Sequence, residues 1–361
     1  MAEARNPGLD AARAVAMAMV VTTHAAISFM VTPIGWAIQD RSQTLAADGY
    51  AWLVRTCVMP VFFWLSGYSA RAIWEHGGVR GFVRHRAVRI GLPLALGIVP
   101  CSLAASALWD WGREVGGRAE VAANVPKLEG SGMLITLGHL WYLYYLLAIS
   151  VAAIVVVAVA RRLRWAPGPL AIVALAALAA TGLCLRAGAL ELDTPLGFAI
   201  DPAVALYYGV FFAWGWVIHA HPEELERYGA RAWRFAACAP LFVAVVADTL
   251  LASTDPANTA APPAYAIVAS QALTFTMVAA VLGLCVRYAR RTHAVIRLVC
   301  EASYWTYVAH FPLLVLLQVV LAGVPVPGLL KFAAMVGAVA VACLATYELM
   351  IRRTPLRRVL G

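Results

Sequence analysis

The chain has 361 residues, of which 62% are hydrophobic and 13% are charged. A soluble domain carries about 25% charged residues, so the composition excludes an ordinary soluble protein and predicts an integral membrane protein. The formal net charge of +9 does not indicate nucleic-acid binding, because the basic residues form short clusters between apolar segments. The seven cysteines stand singly, with no spacing typical of metal ligands, so we expect no metal site.

Ten apolar segments are long enough to cross a bilayer whose hydrocarbon core is about 30 Å thick. Together they predict a single all-α transmembrane domain over residues 1–361. The predicted helices cover residues 11–31, 50–74, 88–109, 137–160, 169–187, 201–219, 233–253, 263–287, 300–322 and 324–351.

The arginines predict the orientation, since short cytoplasmic loops retain positive charge. Most arginines fall on one side of the ten-helix topology, at residues 5–13, 71–89, 161–164, 227–234, 287–297 and 352–358. We therefore expect both termini in the cytoplasm. The longest loop on the opposite side, residues 110–136, is either a cap that contacts an acceptor or a plain connector.

The first predicted helix carries polar residues that are costly to keep in a membrane and that therefore indicate function. Arg13 and His24 are eleven residues apart, which returns to nearly the same helix face about 16 Å further along. A long molecule with an anionic head fits this stripe, and acyl-CoA is such a molecule. We expect His24 to act as a general base, because imidazole titrates near neutral pH. Asp10 either orients Arg13 or serves as a charge at the helix N-terminus.

The second predicted helix and the segment after it supply candidates for acyl-CoA binding. Ser66 lies in MPVFFWLSGY, where small residues interrupt a bulky helix, and it either donates to a substrate oxygen or bonds its own helix. Arg84, Arg86 and Arg89 lie in the basic segment 80–89, predicted to be a loop. This segment is either a phosphate clamp or a plain consequence of cytoplasmic location.

Aromatic and polar residues occur together in two further predicted helices, and they are candidates for substrate binding. Tyr307 and His310 share one face of the ninth helix with Ser303, which indicates a cavity wall. The alternative for His139 and for His310 is a structural role, in which the histidine hydrogen-bonds a neighbouring helix. Arg55 is a candidate cation for a substrate carboxylate. The candidates for substrate binding are His139, Trp141, Tyr142, Tyr307, His310 and Arg55.

These motifs, in this order, resemble the membrane-bound acyltransferase family 3, and specifically its branch around the glucans biosynthesis protein C. The resemblance covers nearly the whole chain. Its carriers are Arg13-x10-His24, Met59–Tyr68, Arg86-x-x-Arg89-x-x-x-Pro93, His139–Leu143, and Ser303–Trp305 with Tyr307 and His310.

The resemblance implies an enzyme of the bacterial inner membrane that moves an acyl group from cytoplasmic acyl-CoA to a hydroxyl of an extracytoplasmic glycan or glycolipid. Acyl-CoA is then a co-substrate, and no cofactor is expected to stay bound. The expected partners are the lipid bilayer, the donor and the acceptor, and the sequence leaves a homo-oligomer open. The alternative is a transporter or exporter of an acylated or anionic metabolite, although no internal repeat supports it.

Overall fold

The computed structural model describes residues 6–32, 34–116, 135–192, 194–255, 257–291 and 293–360. Within these ranges the chain is helical and has no strand, as the composition predicts. Residues 117–134, most of the predicted outer loop 110–136, lie outside the described residues. The helices are α1 (Pro7–Ile27), α2 (Leu45–Arg86), α3 (Leu92–Gly116), α4 (Trp141–Arg162), α5 (Pro169–Ala187), α6 (Pro202–His219), α7 (Pro222–Ala252), α8 (Ala264–Tyr288), α9 (Ala294–Ala322), α10 (Gly328–Thr346) and the short α11 (Arg357–Leu360).

The prediction of a multi-pass membrane protein is confirmed by the length and hydropathy of the helices. Each predicted span overlaps one long helix, and 8 segments of the described chain are long and apolar enough to cross a membrane. One of them joins α2 and α3 in a single stretch, Leu45–Val115. The number of crossings and the side on which the termini lie stay predictions.

Helix α1 is not among those segments, because its polar residues lower its mean hydropathy. It nevertheless lies inside the bundle, in contact with α2, α8, α9 and α10. Asn6 caps its N-terminus by accepting hydrogen bonds from the backbone N–H groups of Gly8 and Leu9, and Pro7 occupies the first turn. This capping fixes where α1 begins and hence the register of Arg13 and His24.

The prediction of a loop at residues 80–89 is wrong. The chain reverses at Gly78, whose φ of 57° suits a residue without a Cβ. Helical structure then resumes to Arg86 and continues through a π-helical turn, Ala87–Gly91, into α3. Residues 227–234 are likewise helical, because Pro222, Glu223 and Glu224 form a favourable first turn for α7.

Helices α2 and α6 cross at two glycines, and this crossing sets the position of Ser66. A Cβ added to Gly67 would lie 1.9 Å from the carbonyl oxygen of Phe212, and one added to Gly215 would lie 2.0 Å from that of Trp64. Only glycine permits so close an approach of two helix backbones. The α2 backbone next to Ser66 is therefore held directly against α6.

The outer faces of α4, α5 and α7 expose large aliphatic side chains. Leu170 is 83% exposed, Leu178 72% and Leu241 65%. Such continuous apolar surface would be unfavourable in water, whereas lipid is its natural solvent. The polar groups described next lie among the inner helices.

Candidate active site

The centre of the candidate site is a contact between the histidines of α1 and α9. Nδ1 of His24 lies 3.1 Å from Nε2 of His310, and the two rings stack with centroids 5.3 Å apart. His310 is fully buried, whereas His24 keeps part of its side chain accessible. The first and ninth predicted helices, far apart in the chain, therefore place two predicted site residues in direct contact.

The partners of His310 determine where the protons of this pair lie. Its Nδ1 is 2.9 Å from the carbonyl oxygen of Thr306 and 2.8 Å from that of Tyr307. Carbonyl oxygens only accept, so Nδ1 of His310 donates and, in a neutral ring, Nε2 accepts. The Nδ1–H of His24 is then the donor to His310. In the neutral pair, the lone pair of His24 is consequently on its Nε2.

His139 joins the two residues, so the three form what we call the histidine cluster (His24, His139 and His310). It lies in a 3₁₀ turn, Gly138–Leu140, that leads into α4. Its Nε2 donates to the carbonyl oxygen of Val308 at 3.1 Å, and its ring packs edge to face on His310 at 5.6 Å. No three histidine, cysteine or acidic residues of the described chain are placed to hold a metal ion together.

Tyr307 and Tyr142 continue the polar path away from the histidine cluster. The Tyr307 hydroxyl donates to the carbonyl oxygen of His139, and the Tyr307 ring lies 5.7 Å from that of Tyr142. The Tyr142 hydroxyl is 2.7 Å from Oγ of Ser66. Ser66 thus bonds a side chain of α4, a partner that neither of the two sequence-based alternatives named.

Arg86 lies at the far end of this path and is 6% exposed. Its Nη2 donates to the carbonyl oxygen of Ser66 at 3.4 Å, and its guanidinium lies 5.0 Å from the ring centroid of Phe82. Its Nε has no hydrogen-bond partner, and within the described chain no carboxylate pairs with it. A buried cation in this condition is costly unless an anion joins it.

Arg13 supplies a second positive charge at the same end. Its guanidinium contacts Asp10 at 3.9 Å, Ser69 at 3.4 Å and Cys300 at 3.7 Å. Its partner Ser69 lies on α2 about one turn after Ser66, whose carbonyl oxygen accepts from Arg86. We call Arg13 and Arg86 the basic end. The polar path of the preceding paragraphs, which we now call the polar strip, connects the histidine cluster to the basic end. Its members are His24, His310, His139, Tyr307, Tyr142, Ser66 and Arg86.

The other predicted residues lie outside this strip. Arg84 is exposed, and Arg89 donates to the carbonyl oxygen of Arg357 at 3.2 Å. Arg55 forms an ion pair with Glu191 at 2.8 Å, so a substrate carboxylate would compete with Glu191 for it. Trp141 is buried, with its ring centroid 5.2 Å from that of Tyr208.

Sequence reasoning missed Trp36 and Gln318, which both contact His24. The Trp36 ring stacks on the His24 ring with centroids 6.0 Å apart, and Gln318 donates to the His24 carbonyl oxygen at 2.8 Å. Gln318 follows Tyr307 by eleven residues, which is the same spacing that separates Arg13 from His24. The sequence could therefore have placed Gln318 on the same face of α9 as Tyr307. No sequence signal marks Trp36, which lies between predicted helices.

The acyltransferase domain family matches residues 6–348, which include every residue of the polar strip. The match covers nearly the whole chain, and the chain belongs to this family. With its membrane-spanning helices, the protein is a membrane acyltransferase, and the resemblance to acyltransferase family 3 is confirmed at the family level. No curated protein and no solved structure gives a significant match.

Proposed function

We propose that the protein transfers an acyl group from acyl-CoA to a hydroxyl of an extracytoplasmic glycan or glycolipid, with His24 as the general base. The observation that carries this proposal is the hydrogen bond between His24 and His310, whose polarity leaves the lone pair of His24 on Nε2. An unprotonated, oriented imidazole nitrogen is what a hydroxyl nucleophile requires.

In the proposed reaction the acceptor hydroxyl gives its proton to Nε2 of His24 while its oxygen attacks the thioester carbonyl carbon. The C–S bond then breaks, and the proton passes to the leaving thiolate. The products are an ester and free CoA. His310 accepts the Nδ1–H of His24 throughout and stabilises the imidazolium that forms, as the orienting partner does in other base-assisted acyl transfers.

The basic end is the proposed site for the anionic head of the donor. Among the described residues, no carboxylate pairs with the buried Arg86, and the polar contacts of Arg13 are 3.4 to 3.9 Å long. Phosphate oxygens accept readily from guanidinium groups. Arg13 and His24 are eleven residues apart on α1, or about 16 Å, so a long donor bound at the basic end can extend its thioester toward His24. Arg84 and Arg89 are proposed to assist at the surface.

The acceptor is proposed to approach from the opposite side of the membrane, where the glucan branch of the family would find its polysaccharide. His139, Trp141, Tyr142, Tyr307 and Arg55 stay candidates for its contacts. The orientation follows from the arginine distribution, which assigns the basic end to the cytoplasm. The resemblance to the glucan branch further leads us to propose that the enzyme lies in a bacterial inner membrane and that acyl-CoA is a co-substrate rather than a bound cofactor.

The proposal is tested with the purified protein in lipid nanodiscs, supplied with acetyl-CoA or succinyl-CoA and with periplasmic glucan. Free CoA thiol is measured with and without the glucan, and acyl esters on the glucan are counted by mass spectrometry. We expect thiol release that depends on the glucan and matches ester formation. Movement of a labelled metabolite across proteoliposomes without thiol release would instead identify a permease.

A further inference from the structure

Residues 34–44, which precede α2 and end at its N-cap residue, fold back over the end of α1 that carries His24. The N–H of Asp40 donates to the carbonyl oxygen of Ser28, and the N–H of Thr44 donates to that of Phe29. These bonds close the segment into a loop, which we call the covering loop.

Trp36 of the covering loop lies directly against the site. Its ring stacks on His24 and packs edge to face on Trp109 at 5.1 Å and on Phe311 at 5.7 Å. Its Nε1–H donates at 2.9 Å to Gln318, whose amide nitrogen donates to the His24 carbonyl oxygen. Trp36 is therefore held in both position and orientation beside the proposed base.

A buried ion pair holds the covering loop to α10. Nζ of Lys331 lies 2.6 Å from a carboxylate oxygen of Asp40, and the side chains are 3% and 5% exposed. The other carboxylate oxygen accepts from the N–H of Ser42 at 2.9 Å. Removing either charge would leave its partner buried and unpaired, which strongly disfavours the closed arrangement. Neither Lys331 nor Asp40 is among the residues found to contact His24.

We propose that the Asp40–Lys331 pair is a positioning element that keeps Trp36 closed over His24 and thereby excludes water from the thioester. This inference rests on the proposed function. Water and an acceptor hydroxyl compete for the same base: each gives a proton to His24 Nε2 and attacks the carbonyl carbon. Attack by water yields a free carboxylate and CoA, and attack by the hydroxyl yields the ester. Excluding water directs the acyl group to the acceptor.

The first test measures access to His24 without any turnover. Diethyl pyrocarbonate reacts with an unprotonated imidazole nitrogen, and peptide mass spectrometry reports the rate at His24, with the exposed His293 as internal reference. We expect Trp36→Ala and Lys331→Met to raise the His24 rate about tenfold, the size of a modest shift in a local opening equilibrium. The matched control is Arg352→Met, which breaks the exposed pair with Glu348 and should leave the rate unchanged.

Lys331→Met leaves Asp40 buried without its partner and could therefore misfold. A second variant distinguishes opening of the covering loop from such a folding defect. Asp40→Asn combined with Lys331→Met removes both charges and retains an acceptor for the Ser42 N–H. We expect it to fold, because no charge is left buried and unpaired, and also to raise the His24 rate, because the direct bond between the covering loop and α10 is lost. An unchanged rate in this folded double variant would overturn the proposal.

The second test measures how the acyl group is partitioned. Thiol release from acetyl-CoA or succinyl-CoA without acceptor reports hydrolysis, and ester formation on periplasmic glucan reports transfer. We expect the ratio of hydrolysis to transfer to rise about tenfold in the double variant, in step with the opening. A fall in both rates with an unchanged ratio would indicate a merely structural pair and overturn the proposal. Increased access to His24 in a protein without any thiol release would support the positioning claim and contradict the proposed function.

Discussion

The two ends of the polar strip differ in how completely their polar groups are bonded to protein. In the histidine cluster, both nitrogens of His310 have partners between 2.8 and 3.1 Å. At the basic end, Arg13 has contacts of 3.4 to 3.9 Å. Within the part of the chain that the structure describes, Arg86 has one such contact at 3.4 Å, and its Nε is unbonded. Short bonds fix geometry before a substrate arrives, whereas a buried guanidinium with an unbonded N–H group attracts an anion. The histidine cluster is therefore suited to orient a reacting atom, and the basic end is suited to bind a charged ligand.

The largest effect is expected from removing the base itself. His24→Ala should lower the transfer rate about 10³-fold, within the range for a general base, and should leave the KM for the donor nearly unchanged. Initial rates of ester formation at saturating and limiting acetyl-CoA separate the two parameters. The exposed His293→Ala is the control. If His24→Ala instead raised the donor KM and left the transfer rate at saturating donor unchanged, His24 would be a binding residue, and the two ends of the polar strip would not differ in role.

The next effect concerns the orienting partner. His310→Ala removes the acceptor for the His24 Nδ1–H and should lower the rate about 10²-fold, toward the lower end of the same range. His310→Gln retains a side-chain oxygen that can accept this proton, so we expect it to recover part of the loss. Both variants are compared by single-turnover rates at equal membrane abundance. Equal rates for Ala and Gln would exclude the hydrogen bond as the reason for the effect.

The basic end should respond in KM rather than in rate. Arg86→Gln removes a buried charge, and hydrogen bonds to charged groups contribute about 1.5–3 kcal/mol, so the donor KM should rise at least about tenfold. Arg84→Gln should have a smaller effect, because Arg84 is exposed and solvent screens its charge. Arg162→Gln, another exposed arginine, is the control. Binding of a non-hydrolysable CoA thioether by calorimetry checks the assignment, and unchanged affinity in Arg86→Gln would refute it.

The smallest effect is expected where the two ends meet. Ser66→Ala removes the hydrogen bond to Tyr142, and a neutral hydrogen bond contributes about 1 kcal/mol, so kcat/KM should fall about fivefold. Ser253→Ala, at an exposed helix end, is the comparison variant. Thermal unfolding followed by tryptophan fluorescence verifies that both variants keep the fold. If Ser66→Ala has full activity, the contact between the two ends is dispensable.

Much of the fold could be predicted from the sequence, because lipid imposes long apolar helices. The spans agree with the observed helices except where polar segments continue them, as after Gly78 and at the start of α7. Arginine clusters were interpreted as loops, although helices satisfy their own backbone bonds whatever the side-chain charge. Clusters of arginine therefore do not mark where these helices end.

The members of the site could be predicted, but the contacts among them could not. His24, Tyr307 and His310 were found because polar residues inside apolar helices are costly. That His24 bonds His310 depends on the packing of α1 against α9, which no periodicity within one helix encodes. Trp36 was missed because it contacts His24 only once its loop has folded back. The partner of Arg55 was also missed, because Glu191 lies in the segment after α5 and meets Arg55 only in the folded chain.

We propose that His24 and His310 act as one catalytic unit, a claim that a double-mutant cycle can test. Transfer rates are measured for the wild type, His24→Ala, His310→Ala and the double variant, each as purified protein in nanodiscs with matched thermal stability. If the two histidines act as one unit, the double variant should be no slower than His24→Ala alone, because an orienting partner has no effect without the base it orients. Losses that multiply in the double variant would show that the two histidines act independently and would contradict the claim.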